Sequence, residues 1–101
     1  MDIRVTTADS VASINMNGRF DFSAHRAFKD AYAPLLQERS IASLEINLAD
    51  VVYMDSSALG MLLLLHERAQ TADTEVVLCR PNATMMQILD IANFGKLFII
   101  R

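Results

Sequence analysis

Apolar and polar positions alternate at two different spacings along this chain. Residues 3–7 and 11–16 alternate with a period of two, which is typical of β-strands with one buried face. The turn-forming residues Ala8, Asp9 and Ser10 separate the two segments. The sequence therefore predicts an N-terminal antiparallel hairpin whose second strand ends at Gly18.

Three further strands and three helices are predicted after the hairpin. The strands are short apolar runs, and the helices repeat apolar positions every three or four residues. We expect strands at 42–48, 75–79 and 96–100 and helices at 24–35, 57–72 and 83–92, with 50–54 leading into the second helix. Asp21 or Ser23 is the expected cap of the first helix, Pro34 is expected to kink or end it, and Asn82 is expected to cap the third.

Strands that are separated by helices of ten or more residues imply parallel β-α-β units. The predicted fold class is therefore α/β, with a mostly parallel sheet, an N-terminal antiparallel hairpin and helices packed on the sheet. The chain has 101 residues, of which 52% are hydrophobic, and this suffices for one domain (1–101) with a full core.

Charge and hydropathy exclude several classes of partner. The net charge is −3 and there is no basic cluster, so nucleic acid is not an expected partner. The longest apolar run of the leucine-rich helix, 61–65, is far too short for direct membrane insertion. The N-terminus lacks the pattern of a secretory signal, and the lone Cys79 forms no internal disulfide, so we expect a cytoplasmic protein.

The segment Asp55-Ser56-Ser57 lies where a strand runs into the second helix. A helix N-terminus has unpaired N–H groups and a dipole that favours negative charge. One interpretation is simple helix capping, which Asp and Ser perform widely. The other is a switch, because a phosphate on Ser57 would suit the helix start and add nearly two negative charges to the surrounding surface.

The second helix has more leucine than one buried face needs. A continuous apolar stripe suffices to dock the helix on the sheet, and it comprises Ala58, Met61, Leu62, Leu65, Ala69 and Ala72. Leu59, Gly60, Leu63 and Leu64 lie on the other side. One interpretation is that they are covered by another element or simply exposed. The other is that they form a docking patch in which Gly60 lets a partner backbone approach closely.

No pattern for catalysis or for a bound cofactor is present. His25 and His66 lie on different helices without companions at metal-ligand spacing, so no metal site is predicted. The G-x-S-x-G element of serine hydrolases and a glycine-rich phosphate loop are both absent. We therefore expect a protein that is not an enzyme and carries no cofactor.

The hexapeptide Asp55-Ser56-Ser57-Ala58-Leu59-Gly60 resembles the D-S-S-G-L-G signature of STAS domains, specifically of anti-sigma factor antagonists. The resemblance covers nearly the whole chain. Residues 18–21 (G-R-F-D) are similar to the family's G-x-x-D after the second strand, residues 44–48 to its V-x-D/N-L strand, and 93–98 loosely to its ending. Ala58 departs from the usual glycine, a change that favours helix.

The resemblance implies a partner switch. Ser57 would accept phosphate, and Asp55 would assist the kinase encounter. Asp21, Leu59, Gly60, Leu63 and Leu64 would bind the partner. In such a switch the unphosphorylated form binds an anti-sigma factor, often a serine kinase, phosphorylation breaks that complex, and a serine phosphatase restores it.

The resemblance also leaves two alternatives open. STAS domains occur as subunits of membrane transporter complexes, where the same helix docks on an ATPase without phosphorylation. Binding of a nucleotide by the domain is a third reading. The intact pair Ser56-Ser57 favours the phosphorylation switch.

Overall fold

The computed structural model describes residues 1–101 as a five-stranded sheet with three α-helices. The strands are β1 (Asp2–Ala8), β2 (Val11–Phe20), β3 (Ser43–Met54), β4 (Glu75–Cys79) and β5 (Ile99–Ile100). The helices are α1 (His25–Leu36), α2 (Ser56–Thr71) and α3 (Ala83–Ile91). One 3₁₀ turn, Phe22–Ala24, precedes α1, and another, Phe94–Lys96, follows α3.

The strand order in the sheet is the order of the strands in the sequence, β1-β2-β3-β4-β5. β1 and β2 pair antiparallel, and every later pair is parallel. Helices connect the parallel strands, as the length of each crossover requires. The predicted class, a mostly parallel α/β sheet with an N-terminal antiparallel hairpin, is confirmed.

One face of the sheet builds the core together with all three helices. Alternate residues of β2, β3 and β4 join buried residues of the helices in a single apolar cluster, among them Ile14, Leu44, Leu78, Phe28, Leu62 and Leu89. The intervening side chains on the other face are largely polar. They pair across strands, with the Ser13 hydroxyl donating to Glu45 at 3.2 Å and the Asn47 amide donating to Asn15 at 2.9 Å.

The prediction that β2 ends at Gly18 is wrong, because the strand continues to Phe20. Gly18 has φ +111°, and the pairing of β2 with β3 shifts register twice, between Asn15 and Asn17 and between Gly18 and Arg19. Such bulges bend a strand without ending it. β3 likewise continues past the predicted segment 42–48 to Met54, which pairs with Phe20 at the end of both strands.

The last predicted strand, 96–100, is also wrong in extent, because only Ile99 and Ile100 are extended. Asn93 takes a left-handed conformation with φ 60° and starts the second 3₁₀ turn. Phe94 and Phe98 are both buried, with ring centroids 5.3 Å apart. Residues four apart in an extended strand are separated by about 13 Å, so two rings in contact at this spacing indicate a helical turn, and the strand begins only after Phe98.

The prediction that Asp21 or Ser23 caps the first helix is wrong, because the N-cap of α1 is Ala24, which forms no side-chain cap, and Asp21 caps the preceding 3₁₀ turn instead. The other helix ends follow the local signals. Asn82 caps α3 by accepting the Met85 N–H at 2.9 Å, as predicted. α1 continues through Pro34 and ends two residues later at Leu36, so the proline lies in the last turn. Ala72, predicted on the buried stripe of α2, is exposed because the helix ends at Thr71.

Candidate functional site

The site lies where β2 and β3 end side by side. Phe20 pairs with Met54, and Asp21 and Asp55 follow as the next residue of each strand. Asp55 is the N-cap of α2, and its Oδ1 accepts the Ala58 N–H at 2.9 Å. The capping role read from the sequence is thus confirmed for Asp55, and it fixes where the helix, and with it the serine pair, begins.

The two serines of the pair differ in their surroundings. Ser56 is the first residue of α2 and is exposed, whereas Ser57 is partly buried. Ser57 lines a groove of about 240 Å³ between the start of α1 and the first half of α2. The groove residues are Phe22, His25, Ser57, Gly60, Met61 and Leu64. Of the two candidate acceptors, only Ser57 lines this groove.

The walls of the groove are mostly apolar, and one of them is unusually exposed. The Phe22 side chain is 73% exposed and stacks on the His25 ring, with centroids 6.4 Å apart and planes inclined by 20°. A Cβ built on Gly60 would meet no atom within 4 Å, so that side of the groove is open. An exposed aromatic ring beside an open apolar groove is typical of an interaction surface.

The leucines that the sequence set apart from the core divide into three environments. Leu59 is partly buried and packs against the core cluster. Leu64 is half-buried and lines the groove with Ser57. Leu63 is 39% exposed and lies outside the groove. Leu62, assigned to the core stripe, is fully buried.

Asp21 serves first as a structural residue. Its carboxylate accepts the backbone N–H of Ser23 at 3.0 Å and the Ser23 hydroxyl, which caps the 3₁₀ turn before α1. Arg19 Nε lies 3.6 Å from its second oxygen. The hydrogen bonds from Ser23, and then the Arg19 charge, lower the pKa of Asp21. Asp21 thereby orients the turn that carries Phe22 into the groove wall.

The sequence did not identify the residues that surround this turn. Phe22 is an apolar residue between two polar capping candidates, away from the apolar positions of α1, and this is the signal that could have found it. In the sequence, His25 stands out only as a metal-ligand type without companions. At the neighbouring strand ends, Val52 is 68% exposed, and Tyr53 lies under the Arg19 guanidinium at 4.0 Å. The run Val51-Val52-Tyr53-Met54 departs from the alternation of β3, and this departure is the sequence signal for the exposed apolar side chains at the strand end.

Elsewhere in the chain, His, Cys, Asp and Glu side chains form no group of three or more that could hold a metal ion. None of the helices combines the length and apolar character needed to cross a membrane. Cys79 lies on β4 among residues that face away from the core cluster, and burial, with the Glu45 charge as a second cause, raises the pKa of its thiol.

Comparison with known proteins gives one consistent result. The family model of the STAS domain matches residues 2–101. A STAS-domain containing protein of Pseudomonas aeruginosa (strain UCBPP-PA14) is 40% identical over 90 residues, which is 87% of this chain and 85% of that protein.

Two solved structures share the fold at lower identity. The anti-sigma factor antagonist SpoIIAA in its unphosphorylated form aligns with a TM-score of 0.82 and 15% identity, over 99% of this chain and 88% of that one. The STAS domain of a SulP transporter from Vibrio cholerae aligns with a TM-score of 0.75 and 20% identity, over 95% of this chain and 77% of that one.

Proposed function

Because this chain belongs to the STAS domain family, we propose that it is an anti-sigma factor antagonist that acts as a partner switch. Its unphosphorylated form binds an anti-sigma factor that is also a serine kinase. Phosphorylation of Ser57 releases that partner, and a serine phosphatase restores binding. The protein acts in the cytoplasm by binding rather than by catalysis, and it uses no cofactor.

The position of Ser57 in the groove is the observation that supports this proposal. A partner that covers the exposed Phe22 ring and Leu64 also covers Ser57, since all three line the same groove. A phosphate there brings about 1.5 to 2 negative charges to the contact. Removing such an anion from water without a matched partner group costs several kcal/mol, on the order of a whole weak interface.

The fold itself tolerates the modification. Ser57 is the second residue of α2, where the helix dipole favours negative charge. Asp55 holds the helix start independently, through the Ala58 N–H. We therefore expect the phosphate to act on the interface and to leave the domain folded.

Phosphorylation and dephosphorylation of Ser57 are both ordinary phosphoryl transfers. In the first, Ser57 Oγ forms a bond to the γ-phosphorus of ATP, the bond to the bridging oxygen breaks, ADP leaves, and a base on the kinase takes the hydroxyl proton. In the second, water attacks the phosphorus, the bond between the phosphorus and Ser57 Oγ breaks, the serine oxygen takes a proton, and inorganic phosphate is released. Catalysis of both steps resides in the partner enzymes.

The test is capture of partners from the native cell by two forms of the tagged protein, one with phosphoserine at position 57 and one treated with phosphatase. We expect an ATP-binding anti-sigma factor on the phosphatase-treated form alone. Ser57→Ala is the matched control and should behave like that form. Recovery of transporter subunits equally on both forms would overturn the switch and favour docking on a transporter ATPase.

A further inference from the structure

The groove that holds Ser57 contains a single side chain able to carry a positive charge. That side chain is His25, the first residue of α1, whose ring stacks on Phe22 with centroids 6.4 Å apart. The other groove residues besides the serine are Phe22, Gly60, Met61 and Leu64, none of which ionises. A serine proposed to carry phosphate therefore shares an apolar-walled groove with one imidazole.

Resting on the proposed function, we propose that His25 is the intramolecular partner of the phosphate on Ser57. In the phosphorylated form the phosphate and the imidazolium pair across the groove. The pair occupies the space that is open in the unphosphorylated form. The switch then has two components, the charge that repels a partner and the closure of the groove that received it.

The chemistry of the two groups supports the pairing. The second ionisation of phosphoserine lies near pH ~6, so the phosphate is largely a dianion at neutral pH. Each charge favours the other at contact distance. The helix dipole opposes a cation at the first residue of α1, and an anion in the groove offsets that opposition.

The other charged groups nearby have different positions or partners. Arg26, Lys29 and Asp30 share with His25 a separate depression along α1, outside the groove. Asp21, which precedes the 3₁₀ turn, is bonded to Ser23 and lies beside Arg19. Asp55, at the start of α2, accepts the Ala58 N–H. None of these charges lines the groove with Ser57.

The experiment is a ³¹P NMR titration of protein that carries genetically encoded phosphoserine at position 57. Wild type, His25→Gln and Arg26→Gln are compared, the last being a matched loss of a neighbouring exposed side chain outside the groove. We expect the phosphate of the wild type to ionise about 0.5 to 1 pH unit lower than in His25→Gln, with Arg26→Gln close to wild type. Equal titration curves for wild type and His25→Gln would overturn the proposal.

A second readout needs no substitution. The ¹⁵N shifts of the His25 ring, compared with and without the phosphate at one pH, should move toward the imidazolium form on phosphorylation. An unchanged ring spectrum would also refute the pairing. Neither measurement uses a kinase or a partner. If the titrations show no pairing but phosphorylation still releases the partner, only the His25 pairing is refuted and the proposed function stands. If they show pairing but phosphorylation does not release the partner, only the switch is refuted.

Discussion

The guanidinium of Arg19 lies 4.0 Å above the ring of Tyr53, and the two residues are partners in the register of β2 and β3. A cation over an aromatic face is attracted by the ring quadrupole. The contact is made one residue before Phe20 pairs with Met54 and two residues before Asp21 and Asp55. It therefore adds a side-chain contact to the pairing of the two strand ends that lead into the groove segments.

A double-mutant cycle measures this contact. Arg19→Met and Tyr53→Leu should each lower the free energy of unfolding slightly, with a coupling between them of about 0.5 to 1 kcal/mol. Urea unfolding of the four proteins supplies the values. The cycle cancels the loss of the Arg19–Asp21 ion pair, which both Arg19→Met proteins share. Strict additivity would show that the contact does not stabilise the strand ends.

Ser57 rather than Ser56 should accept phosphate. Ser56 is the more exposed of the two, so accessibility alone would favour it, whereas the groove and the family pattern favour Ser57. Phosphopeptide mapping after incubation with the cognate kinase and ATP distinguishes them. Modification that persists in Ser57→Ala but not in Ser56→Ala would contradict the assignment.

Ser57→Asp should weaken binding of the partner at least tenfold, and Ser57→Ala should largely preserve it. The aspartate suits the helix start, so both variants should stay folded, and the alanine loses no cap because Asp55 provides it. Titration calorimetry against the identified partner gives the affinities, with thermal melts as the folding control. One charge mimics phosphate incompletely, so equal affinities count against the switch only if the phosphorylated protein also binds normally.

Three adjacent leucines of α2 should respond differently to substitution. Leu62→Ala should cost about 2 to 5 kcal/mol of stability, because the side chain is fully buried. Leu63→Asn should change stability by only about 0.5 kcal/mol, as an exposed position does. Leu64→Asn should weaken partner binding more than Leu63→Asn, since only Leu64 lines the groove. A stronger loss of binding in Leu63→Asn would show that the docking surface lies outside the groove.

Stability should fall as the pH rises through about 9, the range in which an ordinary thiol ionises. Burial raises the pKa of Cys79, so the unfolded state releases this proton first and gains stability from doing so. At a pH below the thiol pKa of the unfolded state, ionisation of Cys79 does not affect the free energy of unfolding. Above that pH it lowers the free energy of unfolding. Urea unfolding across this range should show a smaller decline in Cys79→Ala than in wild type. Parallel curves for the two proteins would indicate that the thiol is solvated.

Elements with strong local signals could be predicted from the sequence, and their positions match the structure. Segment 75–79 is β4 without change, and Asn82 caps α3, because an apolar run and a capping residue act through their immediate neighbours. The extent of β2 could not be predicted in this way. Whether Gly18 ends a strand or bends it depends on whether β3 offers a partner for Phe20, which no local pattern records.

The candidate site likewise has a part that could be predicted from local sequence and a part that could not. Asp55 and the serine pair lie together in the sequence, and their place at a helix start could be predicted. Phe22 and His25 are more than thirty residues away from Ser57 and reach the groove only because β2 and β3 end side by side. The groove is thus a product of packing between two segments, of which only the one with the serine pair gives a clear signal in the sequence.

The order β1-β2-β3-β4-β5 has a consequence for how the chain folds while it is being synthesised. Each strand that leaves the ribosome finds its neighbour already present, since the strand synthesised just before it is the one it pairs with. Every loop that must close is either the hairpin turn or a single crossover, which keeps the entropy cost of each pairing low. The sheet can therefore grow by addition from the first hairpin, and no finished strand waits for a distant segment while its edge is exposed to other chains.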